Sequence, residues 1–187
     1  MFLAMKFANS LKIGKLAEAQ ITGWLRARGH TVIPIYEMEI NTGKGPQILT
    51  PTRELVAPDL LVKTRDDMRF VEAKRKTIFT WHRNTKRWVT GIDLRHYEDY
   101  KLVADHFKWD VWLLFLHVSN IPDERDLKSN CPNECPVGLF GGEIKKLALK
   151  ENHRSDRWGT SGMVYWAEES LTKLCCDVEL QEVSKYG

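Results

Sequence analysis

Apolar and polar positions along the chain fall into blocks of two different periods. Between Ser10 and Gly29, the residues Ala17, Ile21, Trp24, Leu25 and Arg28 recur at helical spacing. They predict an amphipathic helix with Ser10 as N-cap and Gly29 just past its end. Glu18 flanks the stripe, and Gly14 sits one turn earlier on the same side, where a missing side chain would let another backbone come close. Pro58-Asp59-Leu60-Leu61-Val62-Lys63 reads as a short apolar strand, and Arg69-Phe70-Val71-Glu72-Ala73-Lys74 as a strand of period two. On that period Phe70, Glu72 and Lys74 share one face, and Val71 and Ala73 the other. The turn Thr64–Met68 is short enough for an antiparallel hairpin, and a centre near Arg65 or Asp66 sets Asp59 opposite Glu72 to Lys74.

Thr77–Thr90 predicts a second hairpin, turning at Arg83-Asn84-Thr85-Lys86. Asp93 is a good N-cap for a helix whose stripe is Tyr97, Tyr100, Ala104 and Phe107. The unbroken run Val111–Leu116 predicts a strand buried on both faces. Residues 38 to 56 form an insertion between the first and second strands, with a flexible turn at Thr42-Gly43-Lys44-Gly45-Pro46. Ile121-Pro122 breaks the pattern, so residues 1–120 are expected to form a core and 121–187 an extension packed on it. In the extension Trp158–Trp166 and Leu171–Leu174 suggest a loop, a strand and a short helix, with Trp158 and Trp166 as core cover.

Composition narrows the class. At 187 residues, 43% of them hydrophobic, the chain can bury one good core. A net charge of +3 is too mild for a purely electrostatic binder. No apolar run approaches the roughly 20 residues of a membrane span. The start Met1–Phe7 lacks the basic segment of a secretory signal, so a cytoplasmic location is expected. Gly43-Lys44-Gly45 lacks the spacing and the Lys-Ser/Thr ending of a phosphate loop, so no nucleotide cofactor is expected.

The first hairpin carries the chemistry. Asp59 and Glu72 repel each other, and partial burial raises that cost. A hard divalent cation offsets both carboxylates, and carboxylate oxygens are the ligands Mg²⁺ prefers. Lys74 beside such an ion could hold a water or a phosphate oxygen. These parts suit metal-assisted attack of water on a phosphodiester.

Pro58-Asp59, twelve residues, then Glu72-Ala73-Lys74 resembles the signature of the PD-(D/E)XK nuclease superfamily. Gly14-Lys15-Leu16-Ala17-Glu18 resembles that superfamily's first-helix motif, and the predicted order of helix, three strands, helix and strand is similar to its αβββαβ core. The resemblance implies an α/β fold of the restriction-endonuclease-like or Holliday-junction-resolvase-like kind. It implies a metal-dependent endonuclease acting on DNA (duplex, branched or single-stranded), structure-directed or weakly selective. Asp59, Glu72 and Lys74 would be its catalytic residues. Mg²⁺ or Mn²⁺ would be held by Asp59, Glu72, the backbone carbonyl of Ala73 and, from the first helix, Glu18. Homodimers are common in the superfamily and would allow paired cuts. The alternatives are a binding module of the same fold without turnover, and a structural ion network of Asp59, Glu72 and Lys74 on a half-exposed sheet.

Charge is concentrated beside this site. Residues 63–87 hold nine Lys or Arg against three acids, a local balance of +6. Lys76, Arg83, Lys86 and Arg87 suit phosphates, and the interleaved Trp81, His82 and Trp88 suit bases or ribose. An ordinary solvated hairpin with a cross-strand tryptophan pair explains the same residues. His82 and His96 could act near the site, although lone histidines are more often structural. Cys131 and Cys135 have the spacing of half a zinc knuckle, which His117 or His153 would have to complete; free or buried thiols are the simpler reading.

Overall fold

The computed structural model describes residues 2–35 and 45–176, with side chains from residue 14 onward. In chain order the elements begin with α1 (Phe2–Ala27), β1 (Thr31–Pro34), β2 (Gln47–Leu49), β3 (Glu54–Val56), β4 (Leu60–Lys63) and β5 (Met68–Lys76). Next come β6 (Thr80–His82), β7 (Arg87–Asp93), α2 (Leu94–Phe107), β8 (Asp110–His117) and α3 (Glu124–Leu127). The last are β9 (Gly138–Glu143), α4 (Ile144–Ala148), β10 (Glu151–Ser155), β11 (Met163–Ala167) and β12 (Thr172–Cys175).

A six-stranded mixed sheet, ordered β1-β4-β5-β8-β9-β12, forms the centre. Only β5 and β8 run parallel; α2 makes the crossover between them. The connectivity α1, β1, β4, β5, α2, β8 is the αβββαβ core expected from the sequence, with β2 and β3 as a small separate ribbon. A second, four-stranded sheet has the order β10-β11-β7-β6.

The continuous apolar run of β8 follows from its two buried faces. Val111, Leu113 and Phe115 pack with Tyr97, Tyr100 and Val103 of α2 and with Ile144, Leu147, Val164 and Trp166. Leu114 and Leu116 pack on the other side with Ala17, Ile21, Trp24 and Leu25 of α1. Phe70 joins the first cluster, and Val71 and Ala73 join the second, the alternation read from the sequence.

Helix α1 ends as its sequence predicts. Gly29 has φ +82°, its N–H donates to the Arg26 carbonyl at 2.9 Å, and His30 N–H donates to Leu25 at 3.2 Å, a Schellman arrangement. Its start differs: the helix begins at Phe2, so Ser10 lies inside it rather than capping it. Gly14 also differs, because a Cβ there would meet nothing within 4 Å among the described residues.

Two further expectations change in the C-terminal part. Leu171–Leu174 falls largely in β12, a strand paired with β9 and not a helix. Thr172-Lys173-Leu174-Cys175 has no alternation of its own, and pairing with β9 at the sheet edge decides the conformation. Trp166 is fully buried as core, whereas Trp158 is 60% exposed and covers none of it. The turn at Thr42–Gly45 lies mostly outside the described residues. No helix among the described residues is long and apolar enough to cross a membrane.

Candidate active site

The hairpin β4–β5 pairs Leu60 with Val71, Leu61 with Phe70 and Lys63 with Met68. Continuing that register by one residue sets Asp59 opposite Glu72. Its turn closes through Thr64 N–H to the Asp67 carbonyl at 2.9 Å, centred on Arg65 and Asp66. Asp59 leaves the ladder at the start of β4, and its Oδ2 accepts the Ala73 N–H at 2.9 Å. The carboxylate therefore takes the place of a backbone partner.

The same bond orients Ala73. A strand residue presents its N–H and C=O to one neighbour, so the Ala73 carbonyl leaves β5 on the Asp59 side. The register continued by one more step sets Pro58 opposite Ala73, and proline has no N–H to give that carbonyl.

Glu72 is 1% exposed, and neither carboxylate oxygen makes a hydrogen bond of good geometry. Its Oε1 is in close ionic contact with Lys74 Nζ. The Lys74 side chain keeps 33% exposure, so part of it borders solvent while its ammonium meets the buried Glu72. Burial alone would lower the Lys74 pKa; the Glu72 and Asp59 carboxylates outweigh it and hold the group above its ordinary value. Burial and then the Glu72 charge push Asp59 up to about 8, against the smaller pull of Lys74 and the Ala73 bond. One lysine does not neutralise the cluster.

Glu18 of α1 belongs to the same electrostatic group. Burial raises its pKa, Lys15 and Lys74 draw it down, and Glu72 pushes it up. The structure brings Asp59, Glu72 and Lys74 together on the hairpin, and Glu18 on α1 feels the charges of Lys74 and Glu72 without touching them.

Lys76 continues the face of Lys74 at the end of β5, where burial and then Lys74 lower it to about 8. Beside it His117, fully buried and stacked on Phe79 at 3.6 Å, is pushed down to about 3 by burial and then by Lys76.

Helix α2 supplies what sequence reasoning missed. Tyr100, read only as packing, is buried to 1%. Burial and then the Glu72 and Asp59 charges raise its hydroxyl well above the usual range, so it stays protonated. His96, one turn earlier, is lowered by burial and then by Lys74, with Glu72 and Asp93 acting the other way. The i, i+4 spacing of His96 and Tyr100 behind the Asp93 cap is the signal that puts both on one side of the helix. Asp93 caps as expected, its side chain accepting from Arg95 N at 3.0 Å.

Asp99 holds the approach to Asp59. It is buried, accepts the Val56 N–H at 3.0 Å and the Arg53 guanidinium at 3.1 Å, and so ties the end of β3 to α2 three residues before Asp59.

The basic hairpin forms as β6–β7, with Trp81 opposite Trp88. Arg83 and Lys86 are exposed at its tip, and Arg87 is paired with Glu169 at 2.7 Å. Trp88 is a correction to the expected base-stackers. It is 8% exposed and packs inward with Phe79, Cys135 and Phe140. Trp81 meets it edge-on at 5.1 Å and is half-buried. His82 lies in a ring stack with His153 at 3.9 Å.

The residues fit a hard divalent ion by their chemistry. Asp59 and Glu72 share one lysine, the buried Glu72 lacks well-formed hydrogen bonds, and the Ala73 carbonyl leaves β5 on the Asp59 side. Among the described residues no three His, Cys, Asp or Glu side chains are drawn together tightly enough to enclose a metal by themselves. Mg²⁺ suits such an open set, since it keeps several waters and takes one or two carboxylates. The zinc alternative does not assemble. Cys135 Sγ donates to the Ser119 carbonyl at 3.3 Å, His117 is committed to Phe79, and His153 lies in the second sheet.

No protein-family model matches the sequence, and no curated protein matches it. Among solved structures the chain is similar to Hjc of Archaeoglobus fulgidus, a Holliday junction resolvase from an archaeal hyperthermophile. Their identity is 11%, covering 84% of this chain and 90% of that one, with a TM-score of 0.47. It is also similar to D212, a nuclease from a fusselovirus, at 13% identity over 95% of this chain and 90% of that one, with a TM-score of 0.36.

Proposed function

We propose that the protein is a metal-dependent endonuclease that hydrolyses DNA phosphodiester bonds with structural or weak sequence selectivity. The observation that carries this reading is the meeting of Asp59 and Glu72 at Lys74, with Asp59 pushed up to about 8 by burial and by Glu72. A purely structural network would not be expected to gather surplus negative charge in a half-buried place.

Asp59, Glu72 and the Ala73 carbonyl would hold Mg²⁺ or Mn²⁺, helped by Glu18; when bound, the ion lowers the pKa of a water and offsets charge on the phosphate. Lys74 stays protonated through the reaction and orients the attacking water or neutralises the phosphate oxygen. Tyr100 stays a donor beside Glu72 and fixes that carboxylate. Lys76 meets the next phosphate along the strand, and the exposed Arg83 and Lys86 extend the grip. Two copies of the chain would cut two strands.

The test is cleavage of circular plasmid and of labelled duplex, single-stranded and four-way-junction DNA, with Mg²⁺ or Mn²⁺ and then with chelator. Cleavage that needs metal and disappears in Lys74→Ala, with folding and DNA retention intact, is the expected result. DNA retention without cutting on any substrate leaves a binding module, and neither behaviour leaves an ion network.

A further inference from the structure

The outer side of the second sheet carries a cavity of about 360 Å³, within the range of small-ligand sites. Three rings stack along it. His82 of β6 lies on His153 of β10 at 3.9 Å and 9°, and His153 lies on Tyr165 of β11 at 4.5 Å and 4°. Tyr165 stands opposite Gly91 on β7. A Cβ at Gly91 would meet Tyr165 Cδ1 at 2.8 Å and the Val164 carbonyl at 2.2 Å, so only glycine lets the ring lie there. The stack is built into the sheet.

Trp158 borders the same cavity and is 60% exposed, an unusual place for a large aromatic ring. Arg157 lies beside it. Arg154, also in the lining, is already bound to Glu151 at 2.8 and 3.0 Å. The loop carrying Arg157 and Trp158 is fastened to the catalytic side of the molecule. Thr160 N–H donates to Asp93 Oδ2 at 3.0 Å, and Asp93 caps the helix that bears His96 and Tyr100. Burial and then the adjacent His82 lower the proton affinity of His153, which keeps two stacked imidazoles from both being cations.

An exposed indole beside a rigid ring stack, with a guanidinium next to it, is the chemistry that stacks a nucleobase and holds its phosphate. A base inside a duplex has both faces covered by its neighbours and cannot use them. We propose that this cavity takes an unpaired nucleotide of the DNA substrate, its base on the exposed indole of Trp158 beside the ring stack that His82 begins, and its phosphate at Arg157. The inference rests on the nuclease reading only for the source of that nucleotide. It makes the substrate class a DNA with an unstacked segment, such as a flap, a junction or a single strand.

The experiment is fluorescence anisotropy with a ten-residue labelled oligothymidylate and with a duplex of the same length, in chelator and at fixed salt. Trp158→Ala and His82→Ala should each weaken single-strand binding by about tenfold, whereas Trp158→Phe keeps most of it. Duplex binding should change less than twofold. Trp158 is on the surface, so its substitution leaves the melting temperature in place and decides the matter even if His82→Ala unfolds. Unchanged single-strand affinity in Trp158→Ala, or an equal loss on duplex, overturns the proposal. Chelator separates this test from turnover. A protein that cuts nothing but shows these losses keeps the cavity and loses the nuclease reading; one that cuts through Lys74 but loses no single-strand affinity keeps the nuclease and loses the cavity.

Discussion

Asp59 Oδ2 accepts the Ala73 N–H at 2.9 Å, and this one bond fixes both a carboxylate and the backbone carbonyl beside it. It requires a strand that begins just after Asp59 and a position opposite Ala73 that offers no donor, which Pro58 provides. The bond needs only an acceptor oxygen at residue 59; the proposed chemistry needs its charge.

Asp59→Asn separates the two. The amide oxygen still accepts from Ala73, so the hairpin survives. The metal-free variant should be more stable than the wild type at pH 8, by on the order of 2 kcal/mol, because a buried carboxylate facing Glu72 is gone. Cleavage should fall by about a thousandfold or more, and added Mn²⁺ should no longer raise the melting temperature. Urea unfolding with and without metal checks all of this. A less stable variant that still gains stability from Mn²⁺ sinks the assignment.

Stability should depend on pH in a direction opposite to that of an ordinary salt-bridged carboxylate. The Asp59 pKa is raised in the fold, from an ordinary 3.8 to about 8. Asp59 in the folded state then binds more protons than in the unfolded state between those values, but His117, lowered from 6.5 to about 3, contributes the opposite slope below about 6.5, so the net fall in metal-free stability shows between about 6.5 and 8. A divalent ion takes only the deprotonated form, so its stabilising effect should grow across the same interval with release of a proton. Melting temperatures measured at half-unit steps, with chelator and with Mn²⁺, should diverge upward in pH. In Asp59→Asn both slopes should flatten.

Tyr100→Phe tests the positioning role of α2. The ring and its packing remain and only the hydroxyl beside Glu72 is lost. Cleavage should drop by about two- to tenfold, the worth of an ordinary polar contact, because Glu72 makes no well-formed hydrogen bond. The loss should appear mainly as a higher metal concentration for half-maximal rate, since Glu72 is no longer fixed. An unchanged metal requirement with a simple loss of stability would make Tyr100 a packing residue only.

Much of this was legible before any coordinates. Period-two alternation across Phe70–Lys74 placed Glu72 and Lys74 on one face because a strand has no other choice, and the short Thr64–Met68 turn fixed the register. Glu18 was legible through the helical stripe it flanks. Tyr100 was not, because an aromatic residue on an apolar stripe looks the same whether or not its hydroxyl meets a carboxylate. Trp88 and Trp158 exchanged their expected places for a related reason. Alternation gives two faces of a hairpin, but which face is covered depends on Phe79, Phe140 and Cys135, residues distant in sequence. The His82–His153–Tyr165 stack joins three strands whose pairing no local pattern announces.

Asp99 makes the last prediction, on the approach to Asp59. Its carboxylate is buried and holds the Val56 N–H at 3.0 Å, while Arg53, its other partner, is 53% exposed. Removing the arginine leaves a buried carboxylate that still has a backbone donor, and water can take the place of the half-exposed guanidinium. Arg53→Ala should therefore cost less than about 1 kcal/mol. Asp99→Ala strands the Val56 N–H inside the protein, which costs about 1–3 kcal/mol. It also loosens the segment leading to Asp59, so cleavage should fall further than the stability loss alone explains at a temperature where both variants are folded. Denaturant unfolding gives the two costs and initial rates give the activity. Equal costs for the two substitutions would mean that Asp99 serves Arg53 and not the backbone of β3.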